Sequence, residues 1–262
     1  MLIQNEILYD VSQWLVAGAL LALLLAVEEL GFRLGRRRRA DYDDDARSNY
    51  GNLQGGLFGL MALLLAFTFA MAQARYDLRN DLVVVEANAI GTAWLRTEFL
   101  PEPARGEVRA ALRRYTGLRT PRYDEDNDAR SALYAEWDRL HAEIWSRVAA
   151  ASAADPHSLP LSLLVAATND VIDVHGKRIA VGRNHVPEPV ILLVFVFGIA
   201  AAGLTGYRCG VGLRRYRLPS TAFLVLVTLV ITVIIDLDRP RRGIVNIDQR
   251  PLYDLQRSLT GS

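Results

Sequence analysis

Four stretches of this chain, Val11–Val27, Ser48–Ala74, Pro189–Tyr207 and Leu218–Ile235, contain no charged side chain. Each is about as long as a helix must be to cross a hydrocarbon core of about 30 Å. Inside a bilayer every backbone N–H and C=O has to bond within its own segment, so these stretches are expected to be helices. The pattern predicts an all-α, polytopic membrane protein. Four transmembrane helices form two hairpins, and a helical extramembrane domain is inserted between helices 2 and 3. The expected division is helix 1 at 11–35, an arginine-rich loop at 36–50, helix 2 at 51–74, the inserted domain at 75–188, helix 3 at 189–207, a second arginine-rich loop at 208–217, helix 4 at 218–236 and a tail at 237–262.

Composition agrees with that division. Hydrophobic residues make up 51% of the chain although 23% are charged, and the two figures are compatible because the charge lies between the stretches. A net charge of +1 offers no basic face for nucleic acid. The single cysteine, Cys209, excludes an internal disulfide and a cysteine-based metal site. Glu6 and Asp10 precede the first stretch where a signal peptide would carry positive charge, so that stretch is expected to remain in the mature protein.

Orientation follows from arginine. Arg33, Arg36, Arg37, Arg38, Arg39 and Arg47 fall between stretches one and two, and Arg208, Arg214, Arg215 and Arg217 between three and four. No lysine or arginine precedes the first stretch. Positive loops stay in the cytoplasm. The expectation is a multi-pass protein of the inner (plasma) membrane, with both termini and the 75–188 domain extracytoplasmic.

The inserted domain reads as helical. Arg75–Leu100 carries Leu78, Leu82, Val85, Ala89, Thr92 and Phe99 at helical spacing, and Pro101 stops it. No breaker separates it from stretch two, so Gly51–Leu100 can run as one helix of about 75 Å. Glu102–Arg119 is a second helix. Leu133, Trp137, Leu140, Ile144 and Val148 stripe a third, broken at Asp155-Pro156. Leu161–Arg183 is a fourth. In the tail, Ile244–Ile247 reads as a short extended piece, and Leu252, Leu255 and Leu259 mark a short amphipathic helix.

Candidate functional residues come from helix rows. Gly51, Gly55 and Gly59 on stretch two and Gly198, Ala202 and Gly206 on stretch three are small residues at four-residue spacing. Such rows let helix backbones approach closely in lipid, either between subunits or inside one subunit. The stretch-two row continues as Leu63, Phe67 and Met71. Around an axis these would form an apolar constriction that gates by dewetting; inside a bundle they would be core. Arg75, Arg79, Arg239, Arg241 and Arg242 lie next to the membrane, where basic rings attract anions or bind lipid phosphate. Glu28, Glu29 and Asp236 sit at span ends, within reach of the headgroups. Thr228 and Thr232 can bond back to the preceding turn.

Asn169, Asp173, His175 and His185 offer polar groups near the end of the insert, but their spacing matches no metal signature. The acidic run Asp124–Asp128 lacks the ligand spacing and glycine of a calcium loop. No P-loop, dinucleotide motif, nucleophile elbow or catalytic carboxylate frame is present. The expectation is no enzyme activity, no catalytic residue, no metal and no cofactor.

The segments ARYDLRNDLVVVEANAIGTAWLR (Ala74–Arg96), RNHVPEP (Arg183–Pro189) and DLDRPRRGIVNIDQRPLYDLQRSL (Asp236–Leu259) resemble a bacterial bestrophin-like membrane family. The resemblance spans Ser48–Leu259. It extends distantly to true bestrophins, which are pentameric anion channels with four membrane segments per subunit and an apolar neck on the second. What it implies is a homo-oligomer, a pentamer by that analogy, that passes a small inorganic ion. Two departures stand out: Phe67 and Phe69 point to different faces, and the bestrophin insert is cytoplasmic.

Together these readings predict a homo-oligomeric ion channel or pore in a lipid bilayer, anion more than cation, with its constriction on helix 2. The alternative is a non-conducting scaffold or sensor whose extracytoplasmic helices bind a partner. The two differ in whether the Leu63–Phe67–Met71 row surrounds an axis or packs inside one subunit.

Overall fold

A computed structural model describes residues 12–39, 44–119, 127–212, 217–239 and 245–261. Among these the chain is helical: α1 Gln13–Arg37, α2 Asp44–Arg96, a 3-10 turn Thr97–Phe99, α3 Ala104–Arg119, α4 Asn127–Ala154, α5 Leu159–Gly182, α6 Glu188–Gly212, α7 Arg217–Asp238 and α8 Arg250–Thr260. Four of them, α1, α2, α6 and α7, are long and apolar enough to cross a membrane. The described residues of the expected Ile244–Ile247 extended piece, Val245–Ile247, form no strand.

Helices outrun the uncharged stretches. The first stretch stops at Val27, but α1 continues ten residues to Arg37. Its extra turns carry Glu29 and Arg33, paired at 2.9 Å across one turn. Beyond the hydrocarbon core, charge no longer opposes a helix, and pairs four apart support it. For the same reason α2 is a single 53-residue helix, about 80 Å long at 1.5 Å per residue.

The chain forms two compact units. The first comprises residues 1–76 and 185–245 and holds α1, the apolar part of α2, α6 and α7. The close pair within it is α1 with α6, not α1 with its sequence neighbour α2. Glycine explains this. A methyl placed on Gly206 would overlap the Glu28 carbonyl, and one on Gly210 the Phe32 carbonyl. From the other side, Gly31 faces the Gly203 carbonyl and Gly35 the Tyr207 carbonyl. Backbone therefore lies on backbone, the arrangement that drives association where lipid tails remove the hydrophobic advantage. Leu24, Ala202 and Leu224 are buried where α1, α6 and α7 share a core. Thr228 and Thr232 donate to the Leu224 and Thr228 carbonyls at 2.8 and 2.7 Å, satisfying their hydroxyls within α7.

Asp236 and Asp238 close the end of α7. Asp236 accepts from the Val245 N–H and Asp238 from the Val186 N–H, each at 2.9 Å. Asp236 is thus buried and holds a returning segment, rather than reaching for headgroups.

The second unit comprises residues 77–184 and 246–262. The rest of α2 packs with α3, α4, α5 and α8 around Ile90, Leu112, Tyr115, Leu140, Leu164 and Leu252. The α4 stripe lies as expected, with Trp137, Leu140, Ile144 and Val148 buried and Leu133 packed against them. In α5 the Ser158 side chain caps the first turn, accepting from the Leu161 N–H at 3.4 Å. The α2 face differs from expectation. Leu82 is buried as expected, but Leu78, Val85 and Phe99 are exposed, and Val83, Glu86, Ala87, Ile90 and Trp94 face the core. The core-facing row has a glutamate at its centre, and a hydropathy pattern passes over it.

Candidate functional site

The α2 segment within the first unit meets its neighbours along a narrow seam. Gln54, Met61, Thr68 and Ala72 are buried, a spacing of seven and four that marks one helix face. The Phe58 ring stacks on Phe223 of α7 with centroids 4.8 Å apart. Gln54 donates to Thr205 at 3.2 Å and accepts from Arg208 at 2.7 Å. Arg208, an exposed arginine of α6, is thereby held against the first turns of the span; its sequence position suggested only a loop-proximal charge.

The opposite face of α2 has no neighbour among the described residues. Nothing lies within 4 Å of a methyl placed on Gly55 or Gly59. Leu63 is 52% exposed and Phe67 63%. Met71 is half-buried and packs beside Ala72, Ile191 and Ile234, so it turns away from the Leu63–Phe67 line. A methyl placed on Gly51 would lie 3.3 Å from the Arg208 guanidinium. The stretch-three row behaves differently: Gly198, Ala202 and Gly206 are all buried against α1 side chains and backbone.

The membrane-proximal arginines are partly enclosed. Arg75 is half-buried, and Arg79 and Arg239 are each 4% exposed. Arg79 donates to the Asn184 carbonyl at 2.9 Å. Arg241 and Arg242 lie outside the described residues, as do Asp124–Asp126.

A second constellation occupies the core of the 77–184 unit. Glu86 on α2 is 0% exposed. Arg119 of α3 faces it with Nε 2.8 Å from Oε1 and Nη2 3.1 Å from Oε2, and Arg178 of α5 pairs with Oε2. The Tyr115 hydroxyl donates to Oε1 at 2.7 Å and lies 3.1 Å from His175 Nδ1. His175 packs edge-on against both Trp137 and His141, at 5.1 and 4.6 Å between centroids, and Arg119 lies over the Trp137 ring at 4.4 Å.

Electrostatics of this cluster follow from burial and arginine. Burial alone would raise the Glu86 carboxyl, but Arg119, Arg178 and the bonds from Arg119 and Tyr115 outweigh it and hold it below the ordinary value. Burial, then the Arg119 charge, pushes His175 down to about 3 and lowers His141 as well. Both imidazoles are therefore neutral near pH 7. Of the polar groups near the end of the insert, Asn169 and Asp173 are exposed while His175 is buried, and His185 sits in the first unit, 3.5 Å from Asp238.

A family model described as a bestrophin-like domain matches residues 18–252. Crystal structures of a bacterial bestrophin homolog from Klebsiella pneumoniae share the fold. One single-residue mutant superposes with a TM-score of 0.65 at 14% identity, covering 92% of this chain and 97% of that one. Another gives 0.64 at 15% identity, covering 91% and 98%. No curated protein matches the chain.

Proposed function

The chain belongs to the bestrophin-like family, and from that membership we propose that it is a homo-oligomeric membrane ion channel that passes anions in preference to cations. The observation that carries the proposal is the uncovered face of α2, with open space beside Gly55 and Gly59 and with Leu63 and Phe67 exposed. A face of small residues gains little from lipid and much from a second helix that can approach it closely. Copies arranged around an axis would give this face its neighbours. Leu63 and Phe67 would then narrow the path through an apolar ring that gates by dewetting, while Met71 packs inside the subunit. The pentamer of true bestrophins is the subunit number this reading adopts.

Anion preference rests on Arg75, Arg79 and the Arg239–Arg242 segment near one end of the spans. Burial of Arg79 and Arg239 does not remove their field, since enclosed charges are screened less by salt than exposed ones. The arginine asymmetry of the loops supports placing both termini and the 75–188 domain outside the inner membrane.

Flux through liposomes carrying the purified chain tests the proposal, with chloride and potassium compared. Anion flux that rises in Phe67→Ala and falls in Phe67→Trp is expected. Absence of flux from folded protein in every variant would overturn the channel in favour of the scaffold.

A further inference from the structure

We propose that Asp138, His141 and His175 form a binding site for a divalent transition-metal cation of the zinc, cobalt or nickel kind. One ligand atom from each of the three lies within 4.8 Å of the other two. Asp138 and His141 are three apart on α4 and so share a face; His175 comes from α5, whose core face packs beside it. Two imidazole nitrogens and one carboxylate oxygen are the donor set such ions prefer, with a fourth position left open.

Three observations support a ligand here. First, His141 is 8% exposed, yet its Nε2 has no hydrogen-bond partner among the described residues. A buried polar atom left unpaired is costly, and a metal ion is one way to use its lone pair. Second, the other histidine is oriented from behind. The Tyr115 hydroxyl has one proton and gives it to Glu86, so its oxygen accepts from His175 Nδ1 at 3.1 Å. A neutral His175 protonated at Nδ1 keeps its free lone pair on Nε2. A ligand histidine held through its second nitrogen by a polar partner is the usual outer arrangement of a metal site. Third, the Trp137 indole N–H, one turn before His141, also lacks a partner among the described residues, and a metal-bound water is the kind of acceptor it lacks.

Charge and space are compatible with the ion. Glu86 and Asp138 offset Arg119 and Arg178, so the cluster carries no net formal charge before a cation arrives. Zinc bonds of 2.0–2.2 Å set ligand atoms roughly 3.3 Å apart in a tetrahedron, closer than the 4.8 Å limit here. Asp138 is exposed, and rotation of its side chain supplies the closure. His141 also lines a small apolar cavity of about 10 Å³ with Ala93, Leu112, Ile144 and Leu164, room for about one water.

The test is independent of conduction. Full-length protein in detergent is stripped with EDTA and titrated with Zn²⁺ by calorimetry and with Co²⁺ by visible absorption. One ion per chain is expected, with a tetrahedral Co²⁺ spectrum. Asp138→Asn, a surface change that leaves the core intact, is expected to weaken affinity at least tenfold. His141→Asn and His175→Asn should weaken it further, with helix content checked by circular dichroism. No binding at micromolar Zn²⁺ by folded wild-type protein, or equal binding by wild type and Asp138→Asn, would overturn the site.

Discussion

The Tyr115 hydroxyl donates to Glu86 Oε1 at 2.7 Å and stands 3.1 Å from His175 Nδ1, linking a carboxylate held by two arginines to a neutral imidazole. Removing one member of such a network costs far more than its presence contributes, because the others are left buried without partners. Glu86→Ala strands the Arg119 and Arg178 charges and is expected to destabilise the 77–184 unit by about 3–5 kcal/mol. Tyr115→Phe spares the ion pairs and is expected to cost about 1–2 kcal/mol. Urea unfolding of the full chain in detergent, followed by tryptophan fluorescence, separates the two; equal losses would contradict the assigned roles.

Acid stability depends on the same carboxylate. The folded Glu86 carboxyl, held by Arg119 and Arg178, titrates below the ordinary carboxylate value, so under acid conditions the unfolded chain binds a proton that the folded chain refuses. Stability from this group is complete above about pH 4.5 and is lost as pH falls through the folded pKa, with a slope approaching 1.4 kcal/mol per pH unit, an order-of-magnitude figure. The melting temperature of wild type should fall below pH 4.5 more steeply than that of Glu86→Gln. Parallel curves would show that Glu86 does not titrate this way.

The two glycine rows are expected to respond differently. Gly206→Ala drives a methyl into the Glu28 carbonyl and should cost about 1–3 kcal/mol in the stability of a single chain. A methyl placed on Gly59 has no described residue within 4 Å, and Gly59→Leu projects from that open face. It should leave monomer stability unchanged and lower the subunit number seen by native mass spectrometry. An unaltered oligomer would place the subunit contact on another face.

Topology is testable through the lone cysteine. In a Cys209→Ala background, Ala154→Cys puts a thiol at an exposed position of the inserted domain. Labelling of intact cells by a membrane-impermeant maleimide is expected; labelling only after lysis would place the domain in the cytoplasm, as in true bestrophins.

The four spans were legible because absence of charge over about twenty residues is a signal the bilayer itself imposes. The α4 stripe was legible because Trp137, Leu140, Ile144 and Val148 are all apolar. The core face of α2 was not, since Glu86 occupies its centre and only Arg119 and Arg178, distant in sequence, make it tolerable there. Gly31 and Gly35 fall outside the uncharged stretch, which Glu28 ends, although their spacing matches that of Gly206 and Gly210. His141 lay hidden inside an apolar stripe, and nothing local says that it meets His175, 34 positions later. Pairings across helices are properties of the packed chain.

The α1–α6 contact is made of missing side chains. At Gly31, Gly35, Gly206 and Gly210 every other amino acid adds at least a carbon where a carbonyl already stands. An ordinary core can drift, trading one volume for another across neighbouring positions. This seam has no such currency. Sequence change can widen it but never retune it, so the rest of the bundle must vary around a fixed pair.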